Sequence, residues 1–328
     1  MITDSYGRSI NYLRLAVTDR CNLRCTYCMP ADGLNWLPHR ELMTYGEMRR
    51  ICALLVKMGV EKIRITGGEP FVRKDLLPFL QDISRIGGLR ELTLTTNGLL
   101  TAPFVPELKK MGISTVNLSL DTLDRDRFIR ISRRDALDKA LKTLDALLTH
   151  HIAVKINAVV MENSNTDDIV PLVQLTKTLP VSVRFIEEMP FNGGARAISL
   201  RWNYLRILAH IREHFPGLRK ITDSPHATAY GYHIPGHKGD IGVIAAYTRS
   251  FCGSCNRIRI TPTGMVRTCL YEAGSLNLKQ AMRDGCTDDD LQGLVTAAML
   301  KKPIDGWQAQ DMLVAQKLEQ QSMATIGG

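Results

Sequence analysis

Short runs of alternating apolar and polar residues, each followed by a segment with helical periodicity, extend from residue 12 to residue 187. Such alternation predicts β-strands. The predicted strands are Tyr12–Thr18, Lys62–Thr66, Glu91–Thr96, Thr115–Leu120, Val154–Val160 and Val181–Glu187. The predicted helices include one that begins at a Thr44/Glu47 capping box, and Asp75–Ile86, Ala136–His150 and Asp167–Thr178. Six strand–helix units predict a parallel α/β sheet with right-handed crossovers, and six units rather than eight predict an incomplete (βα)6 TIM-like barrel.

Each predicted strand is apolar on one face and polar on the other, whereas a parallel strand covered on both faces is usually apolar throughout. The outer helices need the apolar face, so the polar face should point into the barrel. A packed interior would not accept lone cations there. We therefore expect a wet, basic lumen that binds an anion; an open sheet with these side chains in water is the alternative. The expected lumen residues are Arg14, Arg64, Thr95, Lys155 and Arg184.

The alternation weakens beyond residue 190, which predicts one region over residues 1–190 and another over residues 191–328. The second region should contain a helix over Arg201–His214 and a small β-containing layer. The strands predicted for that layer are Ile241–Ile244, Asn256–Thr261 and Met265–Cys269. His210 and His214 share one helical face, but no third metal ligand is near them in the sequence, so we expect solvent-facing histidines.

The composition is that of an ordinary globular protein, with 45% hydrophobic and 23% charged residues among 328. It excludes a disordered chain and a coiled-coil rod. No apolar stretch approaches the roughly 20 residues of a transmembrane helix, and the polar start does not resemble a signal peptide, so we expect a cytoplasmic protein. The net charge of +9 fits a nucleic-acid surface, a membrane-surface patch or a polyanion pocket. No block of five like charges supports the first two.

Six of the eight cysteines fall into two triplets. Cys21, Cys25 and Cys28 follow the first predicted strand with C-x3-C-x2-C spacing. Three thiolates on one loop can hold a [4Fe–4S] cluster and leave its fourth iron open to a small molecule. A zinc site would need a fourth ligand, and the nearest histidine is His39.

The second triplet is Cys252, Cys255 and Cys269, and it allows three interpretations: another incomplete cluster, a purely structural cluster, or a zinc ribbon with a distant fourth ligand. Arg257 and Arg259 follow it on one face of a predicted strand, where paired guanidiniums suit phosphate. The two remaining cysteines stand apart from these triplets. Cys52 lies in an apolar helical run and should be a core residue, and Cys286 has no visible partner.

The first triplet, with Tyr27 before its last cysteine, resembles the radical S-adenosylmethionine (SAM) superfamily. Thr66–Pro70 resembles the GGEP motif of that superfamily. The resemblance implies that the open iron chelates SAM and that an electron from the cluster cleaves SAM to a 5′-deoxyadenosyl radical. The motif's glycines would let the backbone approach the ligand, and Glu69 would offer a carboxylate near the methionine ammonium.

Nearly the whole chain resembles, more narrowly, the GTP 3′,8-cyclase family of molybdenum cofactor biosynthesis; residues 214–238 and 285–322 fit the family pattern only loosely. The matching motifs are TDRCNLRCTYCMP, IRITGGEP, LTTNG, NLSLD, VKINAVV, RFIEEM, FCGSCNRIRIT and a Gly-Gly end. The resemblance implies a lyase that converts GTP to (8S)-3′,8-cyclo-7,8-dihydroguanosine 5′-triphosphate, the first step of molybdopterin synthesis. It also implies a second [4Fe–4S] cluster, whose unique iron binds the guanine base.

The same resemblance assigns roles to individual residues. The GTP contacts would be Arg14, Arg64, Thr95, Lys155, Arg184, Arg257 and Arg259. The SAM contacts would be Tyr27, Gly68, Glu69, Ser119 and Met189. The catalytic residues would be Arg257, Arg259, Gly327 and Gly328. The two glycines are included because the family's Gly-Gly tail enters the active site; a frayed tail is the alternative. The implied partners are a second copy of the chain, an electron donor whose identity stays open, and the cyclic pyranopterin monophosphate synthase that receives the product.

Two other function classes compete with this one. A radical SAM peptide maturase with an auxiliary cluster would usually carry a peptide-binding module and more C-terminal cysteines. A basic zinc-ribbon protein would bind nucleic acid in a salt-sensitive manner. Arg257, Arg259 and the Gly-Gly end favour the cyclase, for which we expect no nucleic-acid or membrane partner.

Overall fold

One twelve-stranded sheet organises the computed structural model, which describes residues 1–194, 199–249, 251–315 and 322–327. In chain order the strands are β1 (Tyr12–Ala16), β2 (Lys62–Thr66), β3 (Glu91–Thr96), β4 (Thr115–Ser119), β5 (Ala153–Val160), β6 (Val181–Glu187), β7 (Arg219–Lys220), β8 (Ala229–His233), β9 (Asp240–Ile244), β10 (Arg257–Ile260), β11 (Met265–Arg267) and β12 (Leu276–Asn277). Across the sheet their order is β12-β11-β10-β1-β2-β3-β4-β5-β6-β9-β8-β7.

Helices follow most of the parallel strands. They are α1 (Tyr45–Lys57), α2 (Leu76–Ser84), α3 (Val105–Lys110), α4 (Arg125–Ser132), α5 (Leu137–Thr149), α6 (Ile169–Thr178), α7 (Tyr204–His214), α8 (Leu278–Arg283), α9 (Asp288–Leu300), α10 (Gly306–Ala315) and α11 (Met323–Ile326). The predicted capping box begins α1: the amide of Glu47 donates to the Thr44 hydroxyl at 3.1 Å, and the Thr44 amide donates to the Glu47 carboxylate at 2.7 Å. None of the helices in these ranges is long and apolar enough to cross a membrane.

The six predicted strand–helix units are confirmed, and β1 to β6 are parallel neighbours in chain order. Two further parallel strands flank them, since β10 pairs with β1 and β9 pairs with β6. Within the described residues the outermost strands, β12 and β7, do not pair with each other, so the barrel is not closed. This agrees with the incomplete TIM-like barrel expected from the sequence.

The C-terminal strands extend the barrel sheet at both edges instead of stacking on it as a separate layer. Strand β10 lies in register with β1, so that Arg14 is opposite Arg259 on one side and opposite Arg64 on the other. The free edge of β1 supplies unpaired amides and carbonyls that a further strand can satisfy. The second cysteine triplet therefore flanks the same sheet that carries the first.

The apolar strand faces pack against the outer helices, as the alternation predicted. Leu13, Leu15, Ile63 and Ile65 are fully buried in one hydrophobic core, and Cys52 of α1 belongs to the same core. The opposite faces of these strands carry the arginines. The fold thus directs the polar residues towards the interior of the open barrel.

Candidate functional site

A single cavity of about 270 Å³ is lined by all six cysteines of the two triplets. Polar residues from the inner strand faces also line it: Arg14, Arg64, Thr95, Asn117, Ser119, Asn157, Arg184, Arg257 and Arg259. The structure brings the two triplets to one space. A ligand in this cavity can therefore contact both triplets and the arginines at once.

The first triplet lies on a tight loop after β1. The amides of Cys28 and Met29 both donate to the carbonyl of Cys25, at 2.9 and 3.1 Å, which turns the loop around the cavity. Burial raises the pKa of the Cys25 thiol, and the nearby Cys28, Asp121 and Cys21 add to the shift. The three thiols are thus close, half-buried and mutually repulsive when ionised, as expected for ligands that need a cationic metal centre.

Tyr27 contacts a carboxylate that the sequence analysis did not single out. Its hydroxyl donates to Asp121 Oδ2 at 2.9 Å, and the other oxygen of Asp121 accepts from the amide of Val159 at 2.8 Å. Burial raises the pKa of Asp121 to about 6. Asp121 ends the NLSLD motif at the carboxyl end of β4, so its position after a strand was a signal that could have identified it.

The GGEP loop lies against the cluster loop through main-chain hydrogen bonds. The Gly68 amide donates to the Thr18 carbonyl, and the Glu69 amide donates to the Arg20 carbonyl, both at 2.8 Å. A Cβ at Gly68 would lie 2.2 Å from the Arg20 carbonyl oxygen. The neighbouring backbone therefore leaves no room for a side chain at Gly68. The expected approach of this glycine to a ligand stays a prediction.

Glu69 is fully buried and does not line the cavity. Its carboxylate accepts hydrogen bonds from the Phe71 amide, the Thr96 hydroxyl and the Asn97 amide at 3.1, 2.9 and 2.7 Å. Burial raises its pKa to about 7. In this structure Glu69 ties the GGEP loop to the end of β3, and its contact with SAM stays a prediction. The other expected SAM contacts, Tyr27, Gly68, Ser119 and Met189, do line the cavity.

The arginines on the inner strand faces form a row across three strands, because Arg259, Arg14 and Arg64 are register partners. Arg64 is 8% exposed and Arg259 is 6% exposed. Burial, reinforced by Arg14 and Arg184, lowers the pKa of Arg64 to about 10. Several buried cations that face one another require an anion for stability. Their inward placement agrees with the basic lumen predicted from the strand alternation.

Lys155 occupies the same inner face but does not line the cavity. Burial, together with Arg184, Lys62 and Arg64, lowers its pKa to about 8. Lys155 therefore lies beside the same cations but outside the cavity lining. Thr95, by contrast, lines the cavity as expected.

The second triplet is divided between two segments. Cys252 and Cys255 precede β10, and the Cys255 amide donates to the Cys252 carbonyl at 3.1 Å, whereas Cys269 follows β11. Burial would raise the pKa of Cys255, but Arg257 and Lys302 overcome it and lower the value to about 5. Lys302 was not identified from the sequence, where it appears only as half of a Lys-Lys pair.

The spacing of the sulfur atoms bears on which metal centre fits. Neither triplet brings its three sulfurs within 4.8 Å of one another in the part of the chain that the structure describes. Tetrahedral zinc, with Zn–S bonds of about 2.3 Å, would hold its sulfurs about 3.8 Å apart. The wider arrangement fits a multi-iron cluster, in which each thiolate binds a different iron.

The C-terminal segment reaches the cavity. Met323 and Ala324 line it, and Arg259 Nη1 donates to the Gly327 carbonyl at 3.2 Å. The Ser322 hydroxyl donates to the Cys28 carbonyl at 2.5 Å, which links the tail to the first triplet. Gly328 lies outside the described residues. The described tail is docked and not frayed.

The expectation that no third metal ligand lies near the two histidines of α7 was wrong. His210 and His214 do have a third potential ligand nearby, since Glu213 lies with them within 4.8 Å, ligand atom to ligand atom. Glu213 lies on the same helix, three residues after His210, and was missed in the sequence. The ring of His210 packs edge-on against Trp202, so that it is only partly exposed.

Comparisons with known protein families divide the chain in two. Residues 15–176 match the radical SAM superfamily. Residues 181–306 match the family described as Molybdenum Cofactor Synthesis C. Both cysteine triplets fall inside these matches, the first in the former and the second in the latter.

Curated relatives agree with the narrower resemblance. The chain is 40% identical over 307 residues to the GTP 3′,8-cyclase of Peptoclostridium acidaminophilum, with 92% of each protein covered. It is also 40% identical to Molybdenum cofactor biosynthesis protein 1 of Dictyostelium discoideum, covering 92% of this chain and 49% of that protein. The chain thus spans about half the length of such longer relatives.

Solved structures match the fold. Streptococcus suis SuiB, in a crystal structure with bound S-adenosylmethionine, superimposes with a TM-score of 0.61 at 15% identity, covering 90% of this chain and 70% of SuiB. This similarity extends to the fold alone. Family matches over both halves, together with the full-length bacterial relative, are more specific: the chain belongs to the GTP 3′,8-cyclase family of the radical SAM superfamily.

Proposed function

We propose that this chain converts GTP to (8S)-3′,8-cyclo-7,8-dihydroguanosine 5′-triphosphate. The observation that carries the proposal is that two incomplete cysteine triplets and a row of buried arginines line one cavity. A three-thiolate site leaves one iron of a [4Fe–4S] cluster free for a small ligand. Two such sites facing a cationic space suit one small cofactor and one polyanionic nucleotide.

The radical SAM match supports SAM and one iron–sulfur cluster, for which Cys21, Cys25 and Cys28 are the fitting ligands. We assign a second [4Fe–4S] cluster to Cys252, Cys255 and Cys269. When bound, the clusters and SAM would supply the electron and the 5′-deoxyadenosyl radical that form the C3′–C8 bond. Tyr27, Gly68, Ser119 and Met189 would hold SAM beside the first triplet, with Glu69 supporting the loop.

The inner strand faces would bind the triphosphate. Arg14, Arg64 and Arg259 present adjacent guanidiniums, which suit bidentate phosphate contacts. Arg184 adds charge in the cavity and Lys155 adds charge beside it, Arg257 lies beside the second triplet, and Thr95 offers a hydroxyl. Binding by these residues would fix the ribose between the two triplets, and much of the catalytic effect would come from such positioning.

The docked tail would complete this arrangement. Gly327 contacts Arg259, and a Cβ at Gly327 would lie 2.7 Å from the Cβ of Ala16. We assign Gly327 and Gly328 to the active site, because a tail without side chains fits between β1 and the arginines. The electron donor, the homodimer and the receiving cyclic pyranopterin monophosphate synthase remain predictions, as do the cytoplasmic location and the boundary at residue 190.

The test is anaerobic incubation of the reconstituted protein with GTP, SAM and dithionite, followed by mass spectrometry. The expected products are 5′-deoxyadenosine, methionine and a cyclised nucleotide with the mass of GTP. Iron analysis should give about eight irons per chain. Zinc in place of iron, or a modified peptide but no cyclised nucleotide, would refute the proposal in favour of a zinc ribbon or a maturase.

A further inference from the structure

Two buried cations hold the backbone around the second triplet. Arg8, which is 9% exposed, donates from Nη1 to the carbonyl of Cys252 at 3.1 Å. Lys302, which is 3% exposed, donates from Nζ to the carbonyl of Arg257 at 3.1 Å and also to the carbonyl of Thr268. Together they fix the segments that carry all three cysteines.

The two cations differ in how their charge is balanced. Arg8 pairs with Asp4, whose Oδ2 lies 2.5 Å from Arg8 Nε, so its charge is neutralised locally. Lys302 has no carboxylate within ion-pair distance among the described residues. Its hydrogen-bond partners there are the two carbonyls. A buried ammonium without a counter-ion is strongly destabilising unless negative charge is close.

The second triplet is the negative charge in reach. The Lys302 ammonium lies next to both cysteine segments, since both carbonyls that it binds are close to the cysteines in the chain. Its two hydrogen bonds explain this position: Arg257 is two residues beyond Cys255, and Thr268 immediately precedes Cys269. The buried ammonium therefore lies between the two cysteine segments.

We propose that Lys302 is a positioning residue that holds the second triplet together and offsets the charge of the cluster bound there. The proposal rests on the proposed function, because it needs an iron–sulfur cluster on Cys252, Cys255 and Cys269. A cluster gains one negative charge on one-electron reduction, so a fixed cation in a low-dielectric position favours the reduced form. Lys302 thereby raises the reduction potential of the second cluster above the value that the same ligands give without it.

The test uses the full-length chain with Cys21, Cys25 and Cys28 all replaced by Ser, so that only the second cluster contributes a signal. In this background we compare Lys302→Gln, which keeps amide donors but no charge, with Lys302→Arg, which keeps the charge. Lys301→Gln is the matched control, because Lys301 is the exposed neighbour and solvent screens its charge. The readout is the midpoint potential from an anaerobic dithionite titration followed by electron paramagnetic resonance.

For Lys302→Gln we expect about a tenfold shift of the one-electron equilibrium towards the oxidised form, which corresponds to a midpoint about 59 mV lower. Lys302→Arg and Lys301→Gln should stay near the parent value. Loss of iron in Lys302→Gln with retention in Lys302→Arg would equally support a required cation. An unchanged potential in a loaded Lys302→Gln protein, or iron loss in both Lys302 variants, would overturn the inference. Zinc in the parent protein would instead refute the proposed function itself.

Discussion

The two cysteine triplets offer the same three thiol ligands but have opposite charged neighbours. Around the first, acidic groups add to the effect of burial: Glu69 raises the pKa of Cys21, and Asp121 raises that of Cys25. Around the second, Arg257 and Lys302 lower the pKa of Cys255 to about 5 against the effect of burial. The same ligand type therefore meets anionic neighbours in one place and cationic neighbours in the other.

This difference suggests a division of labour between the two ends of the cavity. Negative neighbours disfavour the addition of an electron, so a cluster on the first triplet should be the stronger reductant, as cleavage of a sulfonium requires. Positive neighbours favour the binding of anionic or carbonyl ligands. A cluster on the second triplet should therefore bind substrate more than it drives reduction.

The largest expected effect is that replacing one cysteine of each triplet abolishes a different reaction product. Cys25→Ser should abolish SAM cleavage, whereas Cys252→Ser should retain 5′-deoxyadenosine formation but lose cyclisation. Each variant should lose about half of the iron, because each triplet holds one cluster. Iron assay and chromatography of both products provide the measurement. Cys286→Ser, the control outside both triplets, should keep full iron and turnover; equal loss of deoxyadenosine in both triplet variants would contradict the division.

The next test concerns the C-terminal tail, which contacts Arg259. Deletion of Gly327 and Gly328 should abolish cyclisation while both clusters remain loaded. Gly327→Ala should reduce kcat roughly tenfold or more, since Gly327 has φ +75° and its Cβ would clash with Ala16. Turnover assays beside iron analysis measure both. Normal turnover of the truncated protein would show that the docked tail is only structural.

Asp121→Asn should shift the first cluster in the direction opposite to that expected for Lys302→Gln at the second. Removing the carboxylate's charge should raise the midpoint potential of the first cluster by up to about 59 mV, which corresponds to a tenfold shift of the one-electron equilibrium. The measurement is a redox titration in a chain with Cys252, Cys255 and Cys269 replaced by Ser. Asp124→Asn, which alters the N-cap of α4, is the control. A downward shift would reverse the proposed electrostatic contrast.

The smallest effect concerns pH and Lys155. Burial, Arg184 and Lys62 hold the pKa of Lys155 near 8, so ligand-free Lys155 loses its proton between pH 7 and 9. GTP affinity should fall several-fold over this range, because the triphosphate binds the charged form. The unfolded chain would keep this proton until a pH near 10.5. The contribution of Lys155 to the free energy of unfolding should therefore rise between pH 8 and pH 10.5.

Isothermal titration with GTP at several pH values tests this prediction. Lys155→Arg should remove the pH dependence and keep the affinity, since arginine stays charged throughout. Lys155→Met should remove the pH dependence and lower the affinity several-fold at every pH. A wild-type affinity that is constant from pH 7 to 9 would show that Lys155 does not contact the triphosphate.

Much of the fold followed from the sequence because its signals are local. Strand alternation located β1 to β6 to within about two residues, and the Thr44/Glu47 capping box located the start of α1. The inward direction of Arg14 and Arg64 followed from the same alternation, because a one-residue change of face would have buried the cations against the helices. The C-terminal strands were also found, but the sequence did not reveal their partners in the sheet.

The residues of the site likewise differ in whether a local sequence signal revealed them. Contiguous motifs identified the first triplet, Tyr27 and the GGEP loop. Lys302 and Arg8 gave no comparable signal, because their roles depend on contacts with residues more than 30 positions away in the chain. The glycines of the GGEP loop were identified from the motif, but their crowding by the backbone of residues 18–20 was not, because it is a tertiary contact.

The sequence by itself determined the ligands, the strand faces and the family resemblance, since each depends on spacing within a short segment. Only the tertiary structure decided that both triplets line one cavity, because that depends on β10 pairing with β1 across more than 240 residues of chain. It also decided the opposite electrostatic character of the two triplets. Charge interactions depend on distance and burial in space, and neither can be obtained from positions along a chain.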